Sequence, residues 1–323
     1  MNDPFGRPID YLRLSVTDRC DLRCGYCLPK GFKGFEEPAH WLDFAEITRV
    51  VAAFTALGVS HVRLTGGEPL MRRDLPRLAA DLAALPGLAD LSVSSNCTRM
   101  DVLAEPLYRA GVRRLNASLD SRQPEVFARI TGGSLERVLA GLEAAHRAGF
   151  APIRINTVVM GGVNDGEVES ILEFCAERGF TLRLIETMPM GNTGQAAADH
   201  YVDLQTIKQR LERQFTLIPD LLPGGGPARY YRLGGTETRI GLITPISQHF
   251  CATCNRVRLT VDGTLYLCLG QENRYPLRPL LRGGITDTEL IEHLRQAIAL
   301  KPEGHTFNEK LGKPVRFMAQ TGG

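Results

Sequence analysis

One stretch decides the fold: Tyr11-Leu12-Arg13-Leu14-Ser15-Val16-Thr17-Asp18-Arg19-Cys20-Asp21-Leu22-Arg23-Cys24-Gly25-Tyr26-Cys27. Residues 11–16 form a short apolar run that predicts a β-strand. The strand leads directly into a loop whose cysteines follow a C-x₃-C-x₂-C pattern. Three thiolates so close together can ligate three irons of a [4Fe–4S] cluster, which ordinarily takes four cysteines. The fourth iron is then open to a small molecule, as the open position of a catalytic zinc is.

A structural zinc site is the alternative interpretation of Cys20, Cys24 and Cys27. Structural zinc takes four protein ligands, and the nearest further candidate, His40, lies well beyond the loop. The C-x₃-C spacing also differs from the usual zinc spacing of C-x₂-C. The pattern therefore favours an open iron–sulfur cluster.

Outward from this stretch, short apolar runs alternate with helical stretches as far as residue 186. Five further strands are predicted at 61–65, 91–95, 114–119, 153–159 and 182–186, with amphipathic helices such as 44–57 and 167–178 between them. Strands that alternate with helices indicate parallel β/α units. Six units predict an α/β fold, an incomplete (β/α)6 TIM-like barrel, whose active site lies at the carboxyl ends of the strands.

The pattern changes after Glu186. A stretch rich in glycine and proline, Pro223-Gly224-Gly225-Gly226-Pro227, marks a loop or a boundary. Short strands are predicted at 230–233, 239–243, 256–261 and 264–268, followed by a helix near 287–299. We expect a smaller C-terminal α+β appendage, and we divide the chain into a barrel domain at 1–222 and a cluster-binding domain at 223–323.

Composition and charge exclude several classes of protein. Of the 323 residues, 43% are hydrophobic and 23% are charged, which is ordinary for a globular protein. No apolar run approaches the roughly 18 residues of a membrane span, and no signal-peptide stretch begins the chain. We therefore expect a cytoplasmic protein. A net charge of +2 does not favour a nucleic-acid or membrane partner, although 32 arginines against 6 lysines is a marked bias.

The eight cysteines include a second close group, Cys251, Cys254 and Cys268. A disulfide framework is not expected in a large cytoplasmic chain. A zinc ribbon would need a second C-x₂-C pair, so a second open cluster is favoured, with a structural zinc or closed-cluster site as the alternative.

Two arginines follow the second cysteine group on a predicted strand. Arg256 and Arg258 lie two residues apart and therefore share one face of that strand. Two guanidinium groups beside a cluster indicate an anion site, and an ordinary surface strand is the alternative.

The cysteine loop resembles the signature of the radical S-adenosylmethionine superfamily. Three other segments agree with that resemblance: Thr65-Gly66-Gly67-Glu68-Pro69 after the second strand, Ser94-Ser95-Asn96 at the end of the third, and Asn116-Ala117-Ser118-Leu119-Asp120 at the end of the fourth. The resemblance implies that the open iron binds the amine and carboxylate of S-adenosylmethionine. One electron then splits the sulfonium to give a 5′-deoxyadenosyl radical.

Within the superfamily, the chain is similar to the GTP 3′,8-cyclases of molybdenum cofactor biosynthesis. The similarity rests on Cys254-Asn255-Arg256-Val257-Arg258-Leu259-Thr260-Val261-Asp262-Gly263, on the terminal Gly322-Gly323, and on segments at 155–165 and 183–189. It implies two [4Fe–4S] clusters and conversion of GTP to 3′,8-cyclo-7,8-dihydro-GTP. It also implies an electron donor, a homodimer, and delivery of the product to the next pathway enzyme, cyclic pyranopterin monophosphate synthase.

The resemblance assigns roles to individual residues. It implies that S-adenosylmethionine is bound by Tyr26, Gly67, Ser118 and Met188. It implies that GTP is bound by Arg13, Arg63, Ser94, Arg154, Arg183, Arg256 and Arg258. The residues implied to act at the reacting centre are Arg13, Gly322 and Gly323, and glycine suits a tail that enters a crowded site.

The chain departs from the family pattern at several positions. His61 and Arg154 stand where the family usually has lysine, and Cys97 stands where it has glycine. Cys97 and Cys175 are expected to be buried small residues. Lys301 and His305 match the family without an assignable role, and we interpret Lys301 as a helix C-terminal cap.

Two rival functions remain. One is another two-cluster radical enzyme, such as a peptide-modifying maturase, which tends to carry more cysteines in the appendage. The other is a non-catalytic iron or zinc protein that senses redox state or binds nucleic acid, which the near-neutral charge and the barrel pattern disfavour.

Overall fold

A computed structural model describes residues 1–28, 38–221, 226–307 and 316–322 of the chain. Twelve strands form one sheet in the order β12-β11-β10-β1-β2-β3-β4-β5-β6-β9-β8-β7. The strands are β1 (Tyr11–Ser15), β2 (His61–Thr65), β3 (Asp90–Ser95), β4 (Arg114–Ser118), β5 (Ile153–Val159), β6 (Thr181–Glu186), β7 (Leu217–Asp220), β8 (Arg229–Leu233), β9 (Arg239–Ile243), β10 (Arg256–Leu259), β11 (Thr264–Tyr266) and β12 (Arg274–Pro276).

The six central strands, β1 to β6, are parallel and follow one another in chain order. Helices connect them and continue beyond them. The helices are α1 (Phe44–Ala56), α2 (Leu75–Ala83), α3 (Met100–Arg109), α4 (Pro124–Thr131), α5 (Leu135–Arg147), α6 (Val168–Glu177), α7 (Gly191–Ala197), α8 (Leu204–Glu212), α9 (Arg278–Arg282), α10 (Asp287–Ala299) and α11 (Met318–Thr321). This arrangement confirms the predicted incomplete (β/α)6 barrel.

The strands of the C-terminal third continue the sheet of the barrel at both of its edges. β10 pairs in parallel with β1, and β9 pairs in parallel with β6, so each covers an edge strand of the six-stranded unit. Covering these edges satisfies backbone groups that would otherwise be exposed. The predicted boundary at 222/223 lies outside the described residues, and the division into two domains stays a prediction.

The central strands alternate apolar and polar side chains, and the two kinds face opposite sides of the sheet. Leu12 and Leu14 of β1 are fully buried in the layer between the sheet and the helices. Arg13 of β1 and Arg63 of β2 point instead into the interior. The interior of an ordinary TIM barrel is filled by branched apolar side chains. The polar interior of this sheet therefore provides room and partners for a polar ligand.

The outer helices are fixed by caps and by apolar faces. Asp43 and Glu46 form a capping box at the start of α1, and Thr286 and Glu289 form another at the start of α10. α1 buries Ile47, Val50, Val51, Ala53 and Phe54, as its period-3.6 pattern predicts. Among the described residues, no helix is both long enough and apolar enough to cross a lipid bilayer.

Candidate active site

The first cysteine group lines a cavity of about 1100 Å³ at the carboxyl ends of the central strands. Cys20, Cys24 and Cys27 form one side of it. All four residues assigned to S-adenosylmethionine by resemblance, Tyr26, Gly67, Ser118 and Met188, line the same cavity. We call this space the first cavity.

Gly66 and Gly67 hold the loop that precedes Cys20. The Gly67 amide donates to the Thr17 carbonyl at 3.0 Å, and the Glu68 amide donates to the Arg19 carbonyl at 2.7 Å. A Cβ on Gly66 would lie 2.1 Å from the Thr17 carbonyl oxygen, and one on Gly67 would lie 2.3 Å from that of Arg19. Only residues without a side chain allow this approach. The two glycines therefore have a structural role in orienting the cysteine loop.

Glu68 joins the first cavity to the end of β3. Its carboxylate accepts hydrogen bonds from the Leu70 amide at 3.1 Å, the Asn96 amide at 2.6 Å and the Ser95 hydroxyl at 2.8 Å. Burial raises the pKa of Glu68 to about 8 despite these donors. Glu68 belongs to a motif that is visible in the sequence, but its burial depends on contacts with the end of β3 that the motif does not show.

Tyr26 is oriented by a second buried acid, Asp120. The Tyr26 hydroxyl donates to Asp120 Oδ2 at 2.7 Å, and Asp120 Oδ1 accepts from the Val158 amide at 2.9 Å. Burial raises the pKa of Asp120 to about 6. Sequence reasoning placed Asp120 at the end of a strand without assigning it this contact.

The thiols of the first group lie in a buried and acidic setting. Burial raises the pKa of Cys20, and Glu68 raises it further. Burial likewise raises the pKa of Cys27 to about 12. Such thiols become thiolates when metal ions supply the compensating positive charge. The donor set therefore fits a metal cluster.

A second cavity, of about 1050 Å³, contains the second cysteine group. Most of the arginines assigned to GTP by resemblance line it with the cysteines: Arg13, Arg63, Arg183, Arg256, Arg258, Cys251, Cys254 and Cys268. We call it the arginine cavity. Both groups of cysteines thus open into the interior of the same sheet.

Three arginines lie side by side on neighbouring strands. Arg13 of β1 is opposite Arg258 of β10 on one side and opposite Arg63 of β2 on the other. Burial lowers the pKa of Arg13, and the charges of Arg258 and Arg63 lower it further. Within the described ranges, none of the three forms an ion pair with a carboxylate. Buried cations without counter-charges predict an anionic ligand.

Two of these three arginines also have an N–H donor without a hydrogen-bond partner among the described residues. Nε of Arg13 and Nε of Arg63 are buried, and neither has a hydrogen-bond partner among the described residues. Arg183 donates to Asn156 Oδ1 at 2.8 Å and to Asn116 Oδ1 at 2.5 Å. The arginine cavity therefore offers guanidinium donors whose positions are already fixed.

The remaining residues assigned to GTP lie elsewhere. Ser94 lines the first cavity, where its hydroxyl is buried without a partner among the described residues. Arg154 is buried beside Asn116 but lines neither cavity. His61 contacts the Ser60 hydroxyl at 2.9 Å and the ring of Tyr11, and it also lines neither cavity.

The spacing of possible metal ligands bears on the zinc alternatives. In the part of the chain that the structure describes, only His249, Cys251 and His305 bring three such ligand atoms within 4.8 Å of one another. Cys254 and Cys268 do not belong to this group. A single ion held by it would leave two of the three cysteines of the second site without a metal, whereas a polynuclear cluster would use all three. The group containing Cys251 keeps the possibility of a single ion open at the second site.

Lys301 lies at the second cysteine group, and its prediction as a helix cap was wrong. Its side chain is almost fully buried, and Nζ donates to the carbonyls of Arg256 at 3.0 Å and Leu267 at 2.5 Å. Helix α10 ends instead with backbone hydrogen bonds at Leu300. A lysine two residues after the predicted helix could either cap that helix or pack against another segment. The sequence did not distinguish the two, because the carbonyls that Lys301 contacts are distant in sequence.

The C-terminal segment enters the interior of the sheet. Gly322 has φ +71°, and a Cβ on it would lie 2.3 Å from Cγ2 of Thr65, which lines the first cavity. Arg258 donates to the carbonyl of Thr321 at 3.2 Å and to that of Gly322. Gly323 lies outside the described residues.

The two cavities meet inside the sheet. Asn156, Ile185, Met188 and Met318 line both of them. A ligand in the arginine cavity can therefore approach a ligand at the first cysteine group across a largely apolar junction.

All eight cysteines are free thiols, as expected. Cys97 and Cys175 are fully buried, in agreement with their prediction as small core residues. Cys97 has φ +66°, which is the left-handed region that favours glycine. Glycine would adopt this conformation with less strain than cysteine does.

Two family models match different parts of the chain. Residues 14–175 match the Radical SAM superfamily, and residues 180–307 match Molybdenum Cofactor Synthesis C. Membership of the radical S-adenosylmethionine superfamily implies a [4Fe–4S] cluster and S-adenosylmethionine. The first cavity has the donor set for both.

Curated relatives align over nearly the whole chain. A GTP 3′,8-cyclase of Hydrogenovibrio crunogenus is 44% identical over 329 residues, which cover 99% of each chain. A GTP 3′,8-cyclase of Paracoccus denitrificans is 45% identical over 331 residues, covering 99% of this chain and 95% of the relative.

Solved structures support the fold. SuiB of Streptococcus suis, solved bound to S-adenosylmethionine, has a TM-score of 0.61 at 14% identity and covers 97% of this chain and 77% of its own. SuiB bound to its precursor peptide SuiA gives a TM-score of 0.62 at 13% identity, covering 97% and 76%. From its sequence matches and its fold, the chain belongs to the GTP 3′,8-cyclase family of the radical S-adenosylmethionine superfamily.

Proposed function

We propose that the chain converts GTP to 3′,8-cyclo-7,8-dihydro-GTP in the first step of molybdenum cofactor biosynthesis, with S-adenosylmethionine as the source of the radical. The observation that carries this proposal is the row of buried arginines without counter-charges, in a cavity that joins the first cysteine group. A nucleoside triphosphate supplies the missing negative charge, and its ribose can then extend toward the junction.

The residues of the first cavity support the binding of S-adenosylmethionine. A [4Fe–4S] cluster bound by Cys20, Cys24 and Cys27 supplies the electron that cleaves the sulfonium. Gly67 lines the cavity beside the cysteine loop, where we assign it to the methionyl group, and Ser118 and Met188 also line the cavity. Tyr26, held by Asp120, presents a fixed ring and hydroxyl to the cofactor.

The arginine cavity supports the binding of GTP. Arg13, Arg63, Arg183, Arg256 and Arg258 are the proposed triphosphate ligands, and the proposal also assigns Ser94 and Arg154 to the nucleotide. Ser94 opens into the first cavity, which suits a contact near the ribose rather than near the phosphates. Arg154 is the least supported of the seven because it lines neither cavity.

We further propose a second [4Fe–4S] cluster on Cys251, Cys254 and Cys268, with an open iron that meets the guanine base. The three cysteines that line the arginine cavity together and the buried Lys301 beside them support a cluster at this position. The Arg13 guanidinium and the tail glycines Gly322 and Gly323 would border the reacting ribose, and Gly322 packs so closely against Thr65 of the first cavity that a Cβ would not fit.

The chemistry then depends on proximity. The adenosyl radical would take the C3′ hydrogen and leave as 5′-deoxyadenosine, C3′ would then bond to C8 of guanine, and one electron from the external donor with one proton would complete the 7,8-dihydro product. The chain contributes position and the exclusion of water from the junction, where Ile185, Met188 and Met318 are apolar. We also propose a cytoplasmic location, an electron donor, a homodimer, and transfer of the product to cyclic pyranopterin monophosphate synthase.

Nucleotide-dependent cleavage of S-adenosylmethionine tests the function. Anaerobically reconstituted protein should form 5′-deoxyadenosine faster with GTP than with ATP, and mass spectrometry should detect the cyclised nucleotide only with GTP. Equal rates with both nucleotides would reject GTP as the substrate. Measurement of iron, sulfide and zinc in the same preparation distinguishes two clusters from one cluster and one zinc ion.

A further inference from the structure

Three buried cations surround the second cysteine group. Arg7 donates to the Cys251 carbonyl at 2.8 Å, and Arg316 donates to the Cys268 carbonyl at 3.0 Å. Lys301 donates to the carbonyls of Arg256 and Leu267, which are close in sequence to Cys254 and Cys268. The three cations come from distant parts of the chain and hold all three cysteine-bearing segments.

Lys301 differs from the other two cations in its counter-charge. Arg7 pairs with Asp3 at 2.6 Å, and Arg316 pairs with Glu272 at 2.7 Å. Across the described ranges, Lys301 forms no ion pair with a carboxylate, and its side chain is only 3% exposed. A buried ammonium group is costly unless an anion is near, and the thiolates of the second cysteine group are the anions available.

The first cysteine group has more acidic surroundings. Glu68 and Asp120 are buried acids that line its cavity. Asp21 is close as well, because Asn96 Nδ2 donates to its carboxylate at 2.8 Å and lies 3.9 Å from Cys20 Sγ. The first site therefore has three nearby acids and the cation Arg23, which donates to the Cys20 carbonyl, whereas the second site has one buried cation, Lys301, that no carboxylate among the described residues pairs with.

We propose that Lys301 is a positioning residue that joins the segments of Cys254 and Cys268 and holds the second cluster at a higher reduction potential than the first. Reduction adds one negative charge to a cluster, and a nearby buried cation favours that charge whereas a buried carboxylate opposes it. The second cluster is thus the first to be reduced as the solution potential falls. This inference rests on the proposed function only in assuming a second cluster.

A reductive titration of the full anaerobic protein tests this inference. Each cluster takes up one electron from dithionite, with no bond formed or broken, and electron paramagnetic resonance follows the two reduced signals. S-adenosylmethionine alters the signal of the first cluster, so the unaltered signal belongs to the second. No GTP is added, so the result does not depend on the nucleotide.

Two substitutions at Lys301 separate charge from shape. Lys301→Met removes the charge and retains most of the length, and the ratio of reduced to oxidised second cluster at the wild-type midpoint should fall about tenfold, which is 59 mV for one electron. Lys301→Arg retains the charge and should stay close to the wild type. Lys208→Met removes a lysine from α8, away from both cavities, and should shift neither cluster.

An unchanged midpoint in Lys301→Met with full iron content would overturn the proposal. If that variant lost the iron of the second site, the wild-type titration would provide the test instead. A second cluster in the wild type that is no easier to reduce than the first would also overturn the proposal. Zinc in place of the second cluster in the wild type would reject that part of the proposed function, which is a separate result.

Discussion

Arg258 provides the sharpest test of the anion site. Its guanidinium group is buried, lies beside Arg13 of the neighbouring strand β1, and donates to the carbonyls of Thr321 and Gly322. Arg258→Ala removes one charge from the arginine cavity and also releases the tail from its donor. We expect GTP binding to weaken while both clusters stay in place.

The size of the effect follows from the desolvation of this side chain. Burial, together with the charges of Arg256 and Arg316, lowers the pKa of Arg258 to about 9. The cation is therefore poorly compensated before the nucleotide binds, and a phosphate is a strong partner for it. A charged hydrogen bond contributes about 1.5–3 kcal/mol, which predicts a Kd for GTP about 10- to 150-fold higher in Arg258→Ala. Arg258→Lys keeps the charge without the planar fork and should lie between the two.

Equilibrium binding of GTP under anaerobic conditions, with iron content measured on each sample, provides the assay. Arg295→Ala is the matched control, because it removes an exposed arginine from α10. A Kd for Arg258→Ala equal to that of the control would refute the anion site. Loss of iron from the second cysteine group without a change in affinity would instead give Arg258 a structural role.

Two further predictions concern the first cavity. Gly67→Ala would bring a Cβ to within 2.3 Å of the Arg19 carbonyl oxygen, so it should lower the free energy of unfolding by about 1–3 kcal/mol and reduce iron binding at the first site. Thermal melting and iron analysis check this result against Gly166→Ala, whose Cβ would have no neighbour within 4 Å; equal behaviour of the two variants would contradict it. Asp120 has a pKa of about 6 in the folded protein against an ordinary 3.8, so its stabilising effect is complete below the ordinary value and is lost as pH rises through 6. The loss amounts to about 3 kcal/mol over that window. Melting temperatures from pH 4 to pH 6 should therefore fall more steeply in the wild type than in Asp120→Asn, and parallel curves would show that Asp120 does not titrate in this range.

Local patterns in the sequence were sufficient for much of the fold and of the site. The strands His61–Thr65, Ile153–Val159 and Arg239–Ile243 have the bounds that their apolar runs predict. The spacing of the cysteines on two loops is also a local property. Apolar and polar residues also alternate in Tyr11-Leu12-Arg13-Leu14-Ser15, and this alternation indicates a polar interior. Only for Arg256 and Arg258 was the alternation of a strand used to predict which side chains share a face.

Contacts between distant segments could not be predicted in this way. The pairing of β10 with β1 and of β9 with β6 depends on strands separated by many residues, and a strand's own pattern does not name its neighbour. The burial of Lys301 against Arg256 and Leu267 is of the same kind. For the same reason, the sequence did not show that His61 and Arg154 lie outside the cavity that the other arginines line.

The polar lining of the sheet makes the stability of the protein depend on whether its cavity is occupied. Repulsion among Arg13, Arg63 and Arg258 weakens the empty molecule, whereas any occupant that neutralises them strengthens it by mass action. Substitution of leucine for one of these arginines would stabilise the ligand-free protein and remove a group that binds the anionic ligand. The apparent stability of the protein should therefore rise with the concentration of the anionic ligand that fills the arginine cavity.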